Sequence, residues 1–168
     1  MYFAKDENGS VNPFQNTDQI TYLKAKLEKE VKYKNFALDN TILYQNVQDD
    51  SNTLNVPQIV TRNTLYYSNH VFKKAMYLQT GVIFNYFSSY NMDGYDPLLS
   101  EFYTQNDQEL GGFSRLDFFV NAKIRQTRIF LKAEHFNALF TDPNYYSAPN
   151  QPFRDFKIRF GLVWNFFL

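Results

Sequence analysis

The stretch that decides the fold class runs from Arg154 to Phe167 and reads RDFKIRFGLVWNFF. Side chains along a β-strand point alternately to opposite faces, so every second residue shares a face. One register of this stretch is wholly apolar, and the other is largely charged or small. The stretch therefore predicts a strand with one apolar and one polar face. The apolar register is Phe156, Ile158, Phe160, Leu162, Trp164 and Phe166; the other is Asp155, Lys157, Arg159, Gly161, Val163 and Asn165.

The same two-residue alternation recurs upstream, and it predicts seven strands in all. Several of the segments run to about 12–15 residues, which is long enough for a tilted strand to cross a bilayer. The six further segments are 20–32, 36–47, 58–72, 75–90, 113–125 and 128–139.

Short and long connections alternate along the chain. The short ones lie at Val31–Asn35, Val71–Lys74 and Arg125–Thr127, and the long polar ones at Gln48–Pro57, Asn91–Gly112 and Thr141–Pro152. Transmembrane barrels have short periplasmic turns and long extracellular loops. We therefore expect an all-β, antiparallel transmembrane β-barrel of outer-membrane type.

The whole chain, 1–168, is interpreted as one barrel segment, with 1–18 as an extracellular loop remnant and 19–167 as transmembrane strands. Single-chain bacterial barrels have an even number of strands with both termini inside, but seven strands leave the N-terminus outside. Either a strand near Tyr2–Ala4 escapes the pattern, or the chain is the C-terminal portion of a larger barrel. We favour the larger barrel.

The composition excludes several classes of protein. Aromatic residues make up 19% of the chain although its mean hydropathy is −0.48, and no apolar run could form a membrane-spanning helix. Seventeen basic and 17 acidic residues give no electrostatic case for nucleic acid. Cysteine is absent and no catalytic or nucleotide-binding motif occurs, so we expect no enzyme activity, cofactor or metal site. We interpret His135 as a histidine at the membrane interface.

Charged residues of the polar register are the candidates for a pore lining. Mixed charge there either lines an aqueous path or ties the wall together through ion pairs, and the pattern leaves both readings open. The candidates are Lys24, Lys26, Glu28, Arg62, Asp117, Lys123, Lys132, Glu134 and Arg159.

The long loop Asn91–Gly112 carries five carboxylates. Such a loop could fold into the lumen and set the width and charge of a pore, because carboxylates can confer selectivity. It could equally be a mobile surface loop or a cap. The carboxylates belong to Asp93, Asp96, Glu101, Asp107 and Glu109.

Aromatic side chains near the strand ends suggest girdles at the two membrane interfaces. The outer set is Tyr44, Tyr86, Tyr90, Phe136, Phe140, Tyr145 and Tyr146, and the inner set is Phe36, Tyr77 and Trp164. The final residues also fit a polar-x-Gly-x-x-apolar-x-aromatic pattern. It resembles the C-terminal signal by which barrels are recognised for outer-membrane assembly. The residues that carry this pattern are Arg159, Gly161, Trp164 and Phe166.

Three strings, at Val60–Tyr67, Phe118–Arg128 and Arg154–Trp164, resemble the C-terminal region of the putative porin family of Bacteroidota outer membranes. The resemblance spans most of 19–167. It implies a larger parent barrel that begins upstream of Met1, and it brings no catalytic residues with it.

The sequence therefore predicts an outer-membrane segment whose parent barrel passes small hydrophilic solutes by passive diffusion. Expected partners are outer-membrane lipid and the barrel assembly machinery. The alternative is a structural or interaction barrel, a subunit of an outer-membrane assembly or secretion complex. A third reading is a soluble β-sandwich or lipocalin-like binder.

Overall fold

A seven-stranded antiparallel sheet dominates the computed structural model, which describes residues 1–141 and 145–166. Each strand pairs with the next one along the chain, so the sheet is an up-and-down meander. The antiparallel all-β prediction and its seven strands are confirmed. Within the described residues the first and last strands do not pair with each other, so the sheet is open. The strands are β1 (Thr21–Tyr33), β2 (Phe36–Gln48), β3 (Ile59–Val71), β4 (Met76–Phe87), β5 (Ser114–Ile124), β6 (Thr127–Glu134) and β7 (Lys157–Trp164).

The predicted strand at 128–139 extends five residues too far, since β6 ends at Glu134. His135 follows in the left-handed conformation, with φ of 54°, and Phe136–Leu139 form a 3₁₀ turn. The Asn137 side chain accepts from the Leu116 amide at 2.8 Å and donates to the Ser114 carbonyl at 2.9 Å. A side-chain amide thus satisfies the backbone of β5 where a longer β6 would have paired.

Two other predicted strands were also too long. β4 stops at Phe87 rather than at 90, and β7 covers Lys157–Trp164 rather than 154–167. Phe167 lies outside the described residues. Past these ends the pairing is reduced to isolated backbone hydrogen bonds, such as those from the Ser88 amide to the Ile59 carbonyl and from the Asn165 amide to the Gln126 carbonyl.

The alternation of short and long connections is confirmed. Tight turns join β1 to β2, β3 to β4 and β5 to β6, and we call this the turn end of the sheet. Lys34, Lys73 and Arg125 occupy positive-φ positions in these turns. All other connections lie at the opposite, loop end.

The loop-end segments carry short hairpins of their own. A strand does exist near Tyr2–Ala4, but Tyr2–Lys5 pairs with Val11–Phe14 and stays outside the large sheet. The other hairpins join Tyr90–Asn91 to Glu109–Leu110, Gly94–Asp96 to Glu101–Tyr103 and Tyr146–Ala148 to Gln151–Pro152.

Hydrogen bonds connect the loop-end segments to one another. The Thr104 amide donates to the Phe3 carbonyl at 2.7 Å, and Asn55 Nδ2 donates to the Gln105 carbonyl at 3.3 Å. Asn16 Nδ2 reaches Thr53 Oγ1 at 3.1 Å. The segments 1–20, 49–58 and 88–113 therefore pack together at one end of the sheet. Within the described part of the chain, no helix has the length and apolar character to span a membrane.

Candidate functional site

The strand register divides the large sheet into two faces of opposite character. Directly opposed residues of antiparallel strands share a face, as do alternate residues of one strand. Following the partners from Lys24 to Gln45 at one edge, and from Lys132 to Arg159 at the other, assigns every strand residue to a face. The nine predicted pore-lining residues all fall on the same face, which we call the polar face; the other is the apolar face.

Charge is almost confined to the polar face. The apolar face carries one charged residue, Lys29. The polar face carries fifteen, of which ten are cations and five are carboxylates. The cations are Lys24, Lys26, Lys32, Arg62, Arg115, Lys123, Arg128, Lys132, Lys157 and Arg159; the carboxylates are Glu28, Glu30, Asp39, Asp117 and Glu134.

Burial indicates that the polar face is the concave one. Four buried residues of the sheet, Ala37, Gln45, Ile83 and Asp117, all lie on it. Large side chains of the apolar face stay exposed, with Phe160 at 83% and Leu162 at 61%. Apolar surface of this extent needs a non-aqueous neighbour.

Asp117 anchors an ion-pair cluster that joins β5, β6 and β7. Its carboxylate is 1% exposed and lies 3.1 Å from Lys132 Nζ and 3.4 Å from Arg115 Nε. Lys132 also contacts Glu134 at 3.0 Å, and Glu134 contacts Arg159 at 2.9 Å. A buried carboxylate is tolerable because cations and a backbone donor surround it. The structure thus brings together four of the predicted pore-lining residues in ion pairs that connect neighbouring strands. They are Asp117, Lys132, Glu134 and Arg159.

The remaining predicted residues are placed differently. Lys26 and Glu28 form an exposed ion pair along β1 at 2.6 Å. Such a pair contributes little to stability. Lys24, Arg62 and Lys123 share the polar face but have no ion-pair partner within 4 Å among residues 1–141 and 145–166.

Three cavities follow one another along the polar face. One at the loop end, about 490 Å³, is lined by Arg115, Arg154, Lys157 and Arg159. A middle trough of about 500 Å³ is lined by residues from β1 to β6, including Glu30, Arg62 and Lys132. The third, about 450 Å³, lies at the turn end and is lined by Tyr77, Gln79, Asn121, Lys123 and Arg128. Each cavity has at least two cationic side chains in its lining.

The five carboxylates of the loop Asn91–Gly112 lie at the loop end and line none of these three cavities. Asp96 accepts from the backbone amides of Leu98 and Leu99, and Glu109 accepts from Ser89 Oγ at 2.8 Å. Partial desolvation raises the pKa of the Asp93 carboxyl group. Glu101 and Asp107 are exposed.

Gly161 of the predicted C-terminal signal lies beneath an aromatic ring. A Cβ at this position would overlap Phe130 Cε1, so the Phe130 ring covers the place where a side chain would stand. Arg159 belongs to the ion-pair cluster, while Trp164 stacks on Phe166 with ring centroids 5.0 Å apart.

The predicted interfacial positions of Tyr77 and His135 are wrong. Tyr77 lies opposite Lys123, so it belongs to the polar face and not to an interfacial girdle, whereas Trp164 and Phe36 do lie on the apolar face. His135 is 2% exposed and not interfacial.

His135 is instead enclosed by Phe113, Tyr145 and Phe153, whose ring centroids lie 5.2–6.3 Å from its own. Its backbone amide donates to Asp117 at 2.9 Å, and Nδ1 lies 2.8 Å from the Arg154 carbonyl. This enclosure joins the last long loop to the polar face. The sequence gives no sign of it, because its rings come from two different loops: Phe113 precedes β5, whereas Tyr145 and Phe153 follow β6.

Comparison with known proteins gives one match. A family model described as "Putative porin" matches residues 1–168. No curated protein and no solved structure matches.

Proposed function

Because the chain belongs to the putative porin family, we propose that its sheet is part of the wall of an outer-membrane β-barrel through which small hydrophilic solutes diffuse passively. One observation carries the proposal: the sheet has fifteen charged residues on its concave face and one on its convex face. A barrel wall between lipid and water needs this division. The proposed role needs no catalytic residue and no cofactor.

The exposed apolar face supports contact with outer-membrane lipid. Strands β1, β2 and β3 have 13 residues each, which at about 3.3 Å per residue gives roughly 40 Å, enough for a tilted crossing. A soluble sandwich or lipocalin-like binder would cover such a face with a second layer. Here Leu27, Leu65 and Leu162 are each more than half exposed.

In this proposal the exposed residues among the nine predicted ones line the aqueous path, while the buried Asp117 holds the wall beneath them. The acidic loop Asn91–Gly112 stands at the extracellular entrance of this path, where its five carboxylates would act on solutes before they reach the cations of the wall. Its hydrogen bonds to the N-terminal hairpin and to 49–58 hold it at this rim.

Closure requires partners for the outer edges of β1 and β7, because unpaired backbone groups are not stable in lipid. We propose that further strands of a larger barrel fill these edges. The assembly machinery would first engage the free edge of β7 by strand addition, guided by Arg159, Gly161, Trp164 and Phe166.

A second candidate is a plugged structural barrel, a subunit of an outer-membrane assembly or secretion complex. The observation that favours it is the hydrogen-bonded packing of 1–20, 49–58 and 88–113 across the loop end. Such packing would suit a closed lumen whose loops contact partner proteins.

Conductance separates the two candidates. The protein is purified from membranes in detergent and added to a planar lipid bilayer in potassium chloride. A steady ohmic current that scales with protein supports diffusion through an open lumen. A protein that inserts, as judged by protease protection of reconstituted vesicles, but carries no steady current would be the plugged barrel. A protein that stays monodisperse without detergent would contradict both.

A further inference from the structure

The polar face has an excess of positive charge that the rest of the sheet does not offset. Ten cations face five carboxylates, although the whole chain has 17 of each. Of the twelve other carboxylates, the eleven that the structure describes all belong to the segments at the loop end. The wall is therefore electropositive along its length, and only its loop-end rim is acidic.

Four of the five carboxylates on the polar face are already in ion pairs. Glu28 pairs with Lys26, Glu30 with Lys32, and Asp117 and Glu134 with the cluster around Lys132. Five cations have no ion-pair partner within 4 Å among the residues that the structure describes. They are Lys24, Arg62, Lys123, Arg128 and Lys157.

Two pairs of cations stand directly opposite each other on neighbouring strands. Lys132 faces Arg159 and Lys123 faces Arg128. Directly opposed like charges destabilise a sheet. In the first pair Glu134 contacts both cations, at 3.0 and 2.9 Å, and relieves the repulsion.

No described carboxylate relieves the second pair. Lys123 and Arg128 instead line the turn-end cavity of about 450 Å³ together with Tyr77, Gln79 and Asn121. The cavity thus has an ammonium, a guanidinium, a phenol and two amide groups that can donate hydrogen bonds to an anion, while Ala122, Ile129, Phe130 and Val163 give the rest of its lining an apolar character. An anion bound there would offset two opposed cations, as Glu134 does in the first pair.

We propose that Lys123 and Arg128 form an anion-binding site at the turn end of the path, and that it takes small solutes bearing a carboxylate or phosphate group. The inference rests on the proposed function, because it makes the path anion-selective. The binding itself is measurable without any current.

The first test is equilibrium stabilisation by inorganic phosphate. The purified protein is unfolded by heat in lipid-free zwitterionic detergent, with phosphate added at constant ionic strength. The midpoint should rise with phosphate for the parent protein and for the control Lys73→Gln/Lys74→Gln, which removes two turn cations outside the cavity. It should not rise for Lys123→Gln/Arg128→Gln. Equal stabilisation of all three, or stabilisation only by vesicles of anionic lipid, would overturn the site.

A charge reversal gives an independent readout. Lys123→Glu places a carboxylate opposite Arg128, so the protein should unfold at a higher temperature in phosphate-free buffer and lose its response to phosphate. A lower midpoint with the phosphate response intact would contradict the proposal.

The third measurement is the reversal potential under a potassium chloride gradient. The parent protein should favour chloride over potassium, and Lys123→Gln/Arg128→Gln should reduce that permeability ratio about threefold, since an exposed charge acts mainly within a Debye length. Phosphate stabilisation without any current would leave the anion site standing and refute the open pore. Current without phosphate stabilisation would support the open pore and refute the anion site.

Discussion

At the scale of single residues, Asp117 has the most demanding position in the sheet. It is a carboxylate with 1% exposure whose charge is offset by Lys132, Arg115 and the His135 amide. Arg115 lies on β5 beside Asp117, Lys132 lies on β6, and His135 begins the last long loop. Asp117 therefore couples β5 to β6 and to the last long loop.

Replacing Asp117 by Asn should lower the free energy of unfolding by about 2–3 kcal/mol, because two cations lose their shared buried partner. Glu28→Gln is the matched control on the same face. Its exposed pair with Lys26 should contribute only about 0.5 kcal/mol. Both values come from equilibrium unfolding in detergent or lipid, and equal losses in the two variants would contradict the assigned role of Asp117.

Gly161 leaves room for the Phe130 ring to pack against the backbone of β7. Gly161→Ala should cost about 1–2 kcal/mol, because the new methyl group overlaps the Phe130 ring. In a Phe130→Ala background the same change should be nearly neutral. A double-mutant cycle in unfolding free energy measures the coupling. An equal cost in both backgrounds would mean that the glycine acts through backbone conformation.

Asp49 is held by local donors at the start of the loop after β2. The Thr53 hydroxyl hydrogen bond, followed by the amides of Thr53, Ser51 and Leu54, keeps the pKa of its carboxyl group below the ordinary value. A depressed folded pKa means that this stabilisation is present above the unfolded pKa, near 3.9, and is lost as pH falls through the folded value.

Hydrogen-exchange protection of the Thr53 and Leu54 amides should therefore hold from neutral pH down to about 4 and then decline. Thr53→Val should shift the decline to higher pH, because it removes the strongest donor. Protection that is unchanged by acid, or by this substitution, would show that the carboxylate does not organise the loop.

At the scale of the elements, two adjacent residues at the centre of β3 report the two environments. Leu65 lies on the apolar face and Thr64 on the polar face, opposite Asp39 and Ile83. The two residues are neighbours on the same strand, and both pair with β2 and β4. They therefore differ mainly in the environment of their side chains.

Leu65→Arg should cost about 2–4 kcal/mol of unfolding free energy in lipid if it lies near the bilayer midplane. Thr64→Arg should cost well under half as much, since it points to the charged concave face. Equilibrium unfolding in vesicles of increasing thickness checks both. Equal costs would mean that the faces are exchanged or that neither meets lipid.

At the scale of the whole molecule, the open edges of β1 and β7 decide how these 168 residues behave by themselves. Refolded in detergent, they should give a β-type circular dichroism spectrum. Their electrophoretic mobility should not shift on boiling, because an open sheet with unpaired edges lacks the resistance to denaturant of a closed barrel. A heat-dependent shift would show that the seven strands close by themselves.

The sequence by itself determined the seven strands, the two faces and the alternation of turns and loops. These follow from a side-chain period of two, which is a local property of the backbone, and for the same reason the nine predicted residues share one face. The two-residue period also gives the face of Tyr77 correctly, since Tyr77 lies in the polar register of β4 and therefore not in an interfacial girdle.

Only the tertiary structure decided which charges meet, where β6 ends and what encloses His135. The pairing of Lys132 with Asp117, and of Lys123 with Arg128, depends on the register between strands. The loop hairpins and the ring enclosure depend on contacts between segments that are distant along the chain. Such contacts leave no periodic trace in the sequence, because the residues that make them are chosen by three-dimensional proximity and not by spacing.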